Sequence, residues 1–129
     1  MLFRSNVAAF MRQYPDPRSD RSNRVDTFYR LFMIPGMGHC YGGAGPTSIA
    51  PTDSVAATDP EHDLMLSLEQ WVEKGIAPEK VVGSGQAPNE PSKTMSRPVC
   101  AYPKVTRYKG TGDTNDAGSF ECAALPGQQ

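Results

Sequence analysis

The sequence predicts an α/β fold from one buried strand, one amphipathic helix and two shorter β-type segments. Residues 28–34 are aromatic and aliphatic apart from one Arg, and they contain neither Gly nor Pro, as is typical of a buried strand. Residues 59–75 carry apolar side chains at helical spacing between cap residues. Short strands are expected at 80–82, at an edge, and at 105–108. The chain therefore mixes a sheet with at least one helix.

The predicted strand ends abruptly, and the turn after it carries two reactive side chains. Pro35 stops the strand, and the glycines that flank Met37 allow the tight path that delivers His39 and Cys40. In open α/β sheets, catalytic groups collect at the carboxyl ends of the strands. His39 is therefore a candidate general base. An ordinary loop histidine is the alternative, and spacing alone favours neither.

The helix over 59–75 has recognisable ends. Asp59 is expected as the N-cap and Pro60 as the first helical residue, with acidic residues in the first turn opposing the helix dipole. Gly75 is expected to end the helix in the left-handed conformation. His62 would then be an exposed residue of the first turn rather than a catalytic group.

Apolar side chains give this helix one hydrophobic face. Leu64, Leu68 and Trp71 recur at i, i+4 and i+7, which predicts that the face packs on the core and that Trp71 is part of it. A shorter helix is expected at 2–13 on the same type of spacing, and it would need tertiary support.

Three stretches rich in Gly, Pro and small polar residues are expected to be loops. They cover 41–46, 47–58 and 83–98. The first is expected to be flexible, and it lacks the Lys and the following helix of a phosphate-binding loop. The third contains Ser84 between two glycines, but Val82 precedes them, so the segment does not match a nucleophile elbow. Ser84 is therefore interpreted as a loop residue.

The tail over 97–122 combines a short strand with a run of turn formers at 110–116. Asp113, Asn115 and Asp116 could suggest calcium, but they lack the register and the terminal Glu of an EF-hand loop. Turn capping is the favoured interpretation of these three side chains.

Composition limits the classes of function. The chain has 129 residues and a net charge of −1, which suits one domain or part of one and gives no electrostatic case for nucleic acid or an anionic membrane. Hydrophobic residues make up 38%, and Gly and Pro number 12 each, which predicts many turns and a small core. No apolar run is long enough for a membrane span, and the first residues do not form a signal peptide. If the protein is exported, its signal is expected upstream.

The three cysteines form an odd set, Cys40, Cys100 and Cys122, without the spacing of a zinc site. A bridge between Cys100 and Cys122 would stabilise the poorly cored tail by about 3 kcal/mol on the chain-entropy estimate. One cysteine would then remain, and in an oxidising compartment its partner would be a sulfur outside this chain.

The segment 28–40, which ends in Pro-Gly-Met-Gly-His-Cys, resembles the histidine motif of the tannase and fungal-type feruloyl esterase family. Further similarities follow in the same order, and they are Trp71-Val72-Glu73-Lys74-Gly75-Ile76-Ala77-Pro78, Arg97-Pro98-Val99-Cys100-Ala101-Tyr102-Pro103, Arg107-Tyr108-Lys109-Gly110-Thr111-Gly112-Asp113 and Phe120-Glu121-Cys122. The resemblance covers 28–122 and is weak over 1–27. A motif of this length with these followers is highly specific.

The resemblance implies an α/β-hydrolase fold with an inserted lid and ester hydrolysis by a Ser-His-Asp triad in the chain order Ser, Asp, His. Residue by residue, it implies that His39 is the triad base. It implies that Cys40 is half of a disulfide to a cysteine beside the nucleophilic serine, and that Cys100 and Cys122 form a second bridge.

The resemblance also implies that parts of the active site lie elsewhere. No serine here stands in an elbow, and Asp16, Asp20 and Asp26 do not stand in the turn that carries the family's aspartate. Residues 1–129 therefore resemble the C-terminal portion of one α/β-hydrolase catalytic domain, with a loop-rich, disulfide-stapled tail. Alone, the chain is expected to be inactive.

The partners that the resemblance implies are an aromatic ester substrate, feruloyl or galloyl, and the missing N-terminal half of the same fold. It implies no cofactor and no metal for these residues, and a secreted or periplasmic location. The alternative hypothesis is a different class of protein, either a non-catalytic truncated remnant or a small disulfide-stapled binding domain.

Overall fold

The computed structural model describes residues 27–39, 42–49 and 59–124. The chain divides into two units, 1–30 and 31–129, and only 27–30 of the first unit are described. The helix expected at 2–13 and most of the loop expected at 47–58 lie outside the described residues. The elements below all belong to the second unit.

The helix α1 spans Leu64–Lys74 and begins one turn later than the sequence predicts. Its N-cap is Asp63, whose carboxylate accepts hydrogen bonds from the backbone N–H groups of Met65 and Leu66 at 2.7 and 3.2 Å. Asp59 instead closes the preceding turn by accepting from two backbone N–H groups of its own. Two aspartates four residues apart can each cap a turn, and the helix follows the second.

The predicted end of α1 is confirmed. Gly75 adopts the left-handed conformation with φ 70°, and its N–H donates to the carbonyl of Trp71 at 2.9 Å. A glycine adopts this φ without the steric penalty that a Cβ would add.

The apolar face of α1 is more exposed than the sequence predicts. Leu68 and Val72 are 48% and 77% exposed, Trp71 is half-buried, and the one buried residue of the helix is Ser67. The Ser67 hydroxyl donates to the carbonyl of Pro60, so a polar contact rather than an apolar one ties this side of the helix to the preceding turn. The prediction that Trp71 is a core residue is therefore not met by the described part of the chain.

Two long strands replace the loop expected over 83–98. Strand β1 spans Lys80–Ala87 and β2 spans Glu90–Cys100, and they pair antiparallel from Lys80 opposite Cys100 to Gln86 opposite Thr94. The expectation of a loop is wrong because the buried residues of β1 within this stretch, Gly83 and Ala87, are small. A glycine contributes no hydrophobic periodicity to the sequence, so the strand pattern is not visible there.

A second hairpin follows, and here the predicted strand at 105–108 is confirmed. Strand β3 spans Val105–Tyr108 and pairs antiparallel with β4, Phe120–Ala123. A short 3₁₀ helix, Ala117–Ser119, precedes β4. The Tyr108 and Phe120 rings lie 5.3 Å apart, and the guanidinium of Arg97 from β2 lies 4.3 Å from the centre of the Phe120 ring. The Arg97–Phe120 contact joins the two hairpins, while the Tyr108–Phe120 contact lies within the second one.

The buried strand predicted over 28–34 is not formed. Phe28 is 74% exposed, and within 28–34 only Phe32 makes a β-bridge, to Ala101. A buried strand needs hydrogen-bonded neighbours along its edges. In the part of the chain described, both sheets are two-stranded and antiparallel, so no parallel sheet edge receives this segment.

The core is small and lies along the first hairpin. Its buried apolar residues come from both strands and the residue after β2, and they are Val81, Ala87, Met95, Val99, Cys100 and Ala101. Cys100 forms a disulfide with Cys122 of β4, and their Cα atoms are 5.7 Å apart. No helix among the described residues is long and apolar enough to cross a membrane.

Replacing Asp63 with Ala should destabilise the chain by about 1 kcal/mol, because two backbone N–H groups of α1 lose their acceptor. Urea unfolding followed by circular dichroism measures the change. The matched variant Asp59→Ala leaves the Asp63 cap intact, so its loss of helical signal should be smaller. Equal or larger helix loss in Asp59→Ala would place the helix start at Asp59 instead.

Removing the disulfide with the double variant Cys100→Ser/Cys122→Ser should lower stability by about 3 kcal/mol, because the unfolded chain gains freedom over the 22-residue separation. Thermal unfolding without reductant measures the change, and Cys40→Ser serves as a control that keeps the bridge. A melting temperature equal to that of Cys40→Ser would show that the bridge contributes nothing.

Candidate active site around His39

His39 lies at the tip of a narrow loop, which we call the His39 loop, residues 35–45 with 35–39 and 42–45 described. Its two arms are hydrogen-bonded, with Gly38 N donating to Gly42 O at 2.7 Å and Gly45 N donating to Gly36 O at 3.0 Å. A β-bridge between the arms lies between these two bonds. His39 is exposed, so its side chain is accessible at the tip.

The arms of the loop approach too closely for side chains. A Cβ added to Gly43 would lie 2.0 Å from Gly36 O, and one added to Gly45 would lie 2.0 Å from Pro35 O. The sequence predicts a flexible loop over 41–46. The described part is instead held by backbone contacts that glycine alone permits. Gly43 and Gly45 therefore allow the close approach of the two arms of the loop that carries His39.

Both flanks of the loop are bound to the first hairpin. On one side Phe32 forms a bridge to Ala101, directly after β2. On the other side Thr47 N and Ser48 N donate to Ser84 O at 2.8 and 3.0 Å, and Ser84 N donates to Ser48 O at 2.8 Å. The His39 loop thus spans from the end of β2 to the middle of β1.

A cavity of ≈ 310 Å³ lies between the base of the loop and the two hairpins. Its walls are mostly apolar and include Gly45, Pro46, Met95 and Phe120, while Arg97 contributes the charged group. Partial burial lowers the pKa of Arg97, and the nearby carboxylate of Asp113 opposes that shift. The Arg97 Nη1 atom donates to the carbonyl of Ser96 at 2.7 Å.

The second histidine has a structural partner. His62 is exposed, as predicted, and its Nδ1 lies 2.8 and 2.9 Å from the two carboxylate oxygens of Asp59. This hydrogen bond lowers the pKa of Asp59 below 3.8. Because the folded state lowers this pKa, the contact favours folding above that pH, and its contribution is lost as the pH falls. The contribution is small, because both side chains face solvent.

The remaining candidates have structural roles. Ser84 lies inside β1 rather than in a loop or at a strand-to-helix turn. Asp113 accepts from the backbone of Asn115 at 2.8 Å, and Asp116 accepts from Gly118 N at 2.9 Å, which confirms turn capping by these two aspartates. Over 27–39, 42–49 and 59–124, no three His, Cys, Asp or Glu side chains cluster in a way that would hold a metal ion.

Two of the three cysteines are described by the structure, and the third is not. Cys100 and Cys122 are bonded to each other and join β2 to β4. Cys40 lies outside the described residues, so its predicted bond to an upstream cysteine stays a prediction. The structure brings neither Ser84 nor the capping aspartates into the His39 loop.

Sequence reasoning misses the glycines that hold the loop. Gly43 and Gly45 look like a linker, but each position is closed to a side chain by the opposite arm. The available signal is the density of glycine on both sides of His39, which is typical of two backbones in close contact.

Replacing Gly45 with Ala should destabilise the chain by about 2 kcal/mol or more, because the new methyl group meets the Pro35 carbonyl and the backbone must move. Gly118→Ala is the matched control. Its Cβ would rest at an ordinary 3.4 Å from the Asp116 carboxylate, so its cost should stay within about 0.5 kcal/mol. Chemical denaturation of both variants measures the difference, and equal stabilities would contradict the close approach at Gly45.

Comparison with known proteins gives a consistent result. The family described as "Tannase and feruloyl esterase" matches residues 2–123. The chain is 39% identical over 111 residues to an uncharacterised esterase of Xanthomonas campestris pv. campestris, covering 83% of this chain and 19% of that protein. It is 40% identical over 124 residues to a probable feruloyl esterase B-2 of Aspergillus terreus, covering 94% and 22%.

A solved structure agrees with the sequence comparison. The fold is similar to a crystal structure of feruloyl esterase B from Aspergillus oryzae, with a TM-score of 0.69 and 34% identity, covering 92% of this chain and 24% of that one. The chain spans about a fifth of the length of the curated relatives it matches. It therefore belongs to the tannase and feruloyl esterase family.

Proposed function

We propose that this chain is the histidine-bearing part of a serine carboxylic-ester hydrolase that acts on aromatic acid esters, feruloyl or galloyl. The observation that carries the proposal is the presentation of His39 at the exposed tip of a hydrogen-bonded loop in a chain of this family. The names of the relatives, esterase and feruloyl esterase, support the reaction and the substrate class.

His39 acts as general base and then as general acid. Its imidazole accepts the proton of the nucleophilic serine as the serine oxygen attacks the ester carbonyl carbon. The imidazolium next protonates the departing alcohol, which leaves an acyl-enzyme. Water then attacks the acyl carbon while His39 accepts its proton. His39 returns that proton to the serine oxygen as the acyl–oxygen bond breaks, which releases the acid and regenerates the serine hydroxyl. Each proton transfer needs the imidazole at hydrogen-bond distance, so a fixed loop suits the role.

The nucleophilic serine and the triad aspartate are supplied by polypeptide other than these 129 residues. The position of Ser84 supports this, because a strand interior paired on both edges cannot form the sharp turn that exposes a nucleophile. We also propose that Cys40 bonds to a cysteine beside that serine. Such a bond would tie nucleophile and base together at the backbone.

The partner that completes the site is the rest of an α/β-hydrolase fold. The exposed apolar face of α1, with Leu68 about half exposed and Val72 largely exposed, supports a further layer of protein over this helix. The segment that includes Phe32 supports it too, because its composition is that of a buried strand although one bridge is its only ladder contact among the described residues. A neighbouring strand would satisfy it.

We also propose an oxidising location, secreted or periplasmic. The Cys100–Cys122 disulfide supports this, because such bonds persist where thiols are not kept reduced.

The test is a chimera in which this chain replaces the matching segment of the Aspergillus oryzae feruloyl esterase B. The chimera should hydrolyse methyl ferulate, and His39→Ala should lower kcat by on the order of 10⁴-fold or more, because the base is lost. His62→Ala is the matched control, and it should leave kcat unchanged because His62 pairs with Asp59. Equal activity of His39→Ala and the unaltered chimera would show that His39 is not the general base.

The chain alone should show no turnover of p-nitrophenyl or feruloyl esters. Turnover by the isolated chain that disappears in His39→Ala would show that a nucleophile is present within these 129 residues, and it would overturn the proposed division of the triad.

A further inference from the structure

Strand β1 supports the base of the His39 loop through a residue far from it in sequence. Gly85 lies forty-six residues after His39, yet a Cβ added to Gly85 would lie 2.9 Å from Gly45 O and 3.3 Å from Thr47 N. Both atoms belong to the backbone, so no side-chain rotation relieves the contact. The chain therefore passes over Gly85 at a distance that glycine allows and alanine does not.

The contact lies at the point where the loop is closed. Gly45 uses its N–H to donate to Gly36 O at 3.0 Å, and its carbonyl faces Gly85. On its other side Gly45 is already in close contact with Pro35 O. The Gly45 peptide is thus confined from both sides, and it cannot move away from β1 without disturbing the closing bond of the loop.

The displacement of Gly45 O that a methyl group at position 85 requires is about as large as the positional error that a catalytic site tolerates. To reach an ordinary 3.4 Å from a methyl group at position 85, Gly45 O would have to shift by about 0.5 Å, the precision to which catalytic groups are held. The shift would change the spacing of the two arms and so the position of the tip that carries His39. Misplacement of a catalytic group by about 1 Å can cost on the order of 10²-fold in rate.

We propose that Gly85 is a positioning residue for His39, acting through the backbone of Gly45. This inference rests on the proposed esterase function. It adds a second point of support for the base, independent of the proposed Cys40 disulfide. Gly85 touches neither substrate nor imidazole in this role. It sets how closely β1 and the loop approach each other.

The test uses Gly85→Ala in the feruloyl esterase chimera described above. We expect kcat for methyl ferulate to fall about 10- to 100-fold while KM changes less than about twofold, because the misplaced base slows proton transfer but leaves the binding surface intact. Amide hydrogen exchange of the same variant provides a second readout. Exchange at Gly45 N–H and Gly38 N–H should accelerate, whereas exchange at Val99 N–H in β2 should not.

Two control variants separate positioning from stability. Gly118→Ala makes the same chemical change at a position with room for a methyl group, and it should keep the full kcat. Val81→Ala removes part of a fully buried side chain from the same strand, so it should lower the melting temperature without lowering kcat at 25 °C.

The outcomes are distinct. An inactive unaltered chimera that is folded would refute the proposed function itself. An active chimera in which Gly85→Ala retains the kcat of Gly118→Ala would overturn the positioning role alone. Loss of the fold in Gly85→Ala, with Val81→Ala still folded, would assign Gly85 to stability and would also overturn the proposal.

Discussion

The close backbone approach at Gly45 is the constraint on which the described structure depends. Gly45 is pressed between Pro35 on the opposite arm of the His39 loop and Gly85 of β1, with no side chain between the three. Backbone groups packed this closely need hydrogen-bond partners, and Gly45 N–H finds one in Gly36 O. We propose that this contact helps to set the position of His39.

Polar and covalent links compensate for the small core. The buried apolar residues come mainly from β1 and β2, and few of them are large. The second hairpin is joined to the first by the Cys100–Cys122 bond and by Arg97 over Phe120. The Thr106 hydroxyl also donates to the carbonyl of Pro98, which ties β3 to β2. These links join the two hairpins where the described residues supply only two-stranded sheets.

The exposed face of α1 and the isolated segment near Phe32 have one explanation in common. Both have the composition of buried elements, and both lack the neighbours among the described residues that burial would require. A chain that spans about a fifth of its relatives suits an arrangement in which more of the fold covers these surfaces. Under the proposed function, the covering part carries the nucleophile that His39 would face.

Local sequence signals predict the features that depend on residues close together in the chain, such as helix ends and turn caps. The left-handed end of α1 at Gly75 and the capping roles of Asp113 and Asp116 are confirmed, because each involves residues within a few positions of one another. The strand at 105–108 is also confirmed, although its partner strand β4 lies further along the chain. The predicted start of α1 is wrong because Asp59 and Asp63 are both aspartates that can cap a helix, and the sequence does not distinguish between them. The long hairpin is missed because glycine in β1 hides its alternation.

The sequence by itself determined the family, the candidate base His39 and the pair of cysteines in the tail, since each depends on residue identity and order. The tertiary structure alone decided which glycines allow backbones to pack closely, because the close approach between Gly45 and Gly85 involves two segments forty residues apart. It also decided that the segment before His39 is not a strand within the described residues, since a strand exists only where a neighbour accepts and donates its hydrogen bonds.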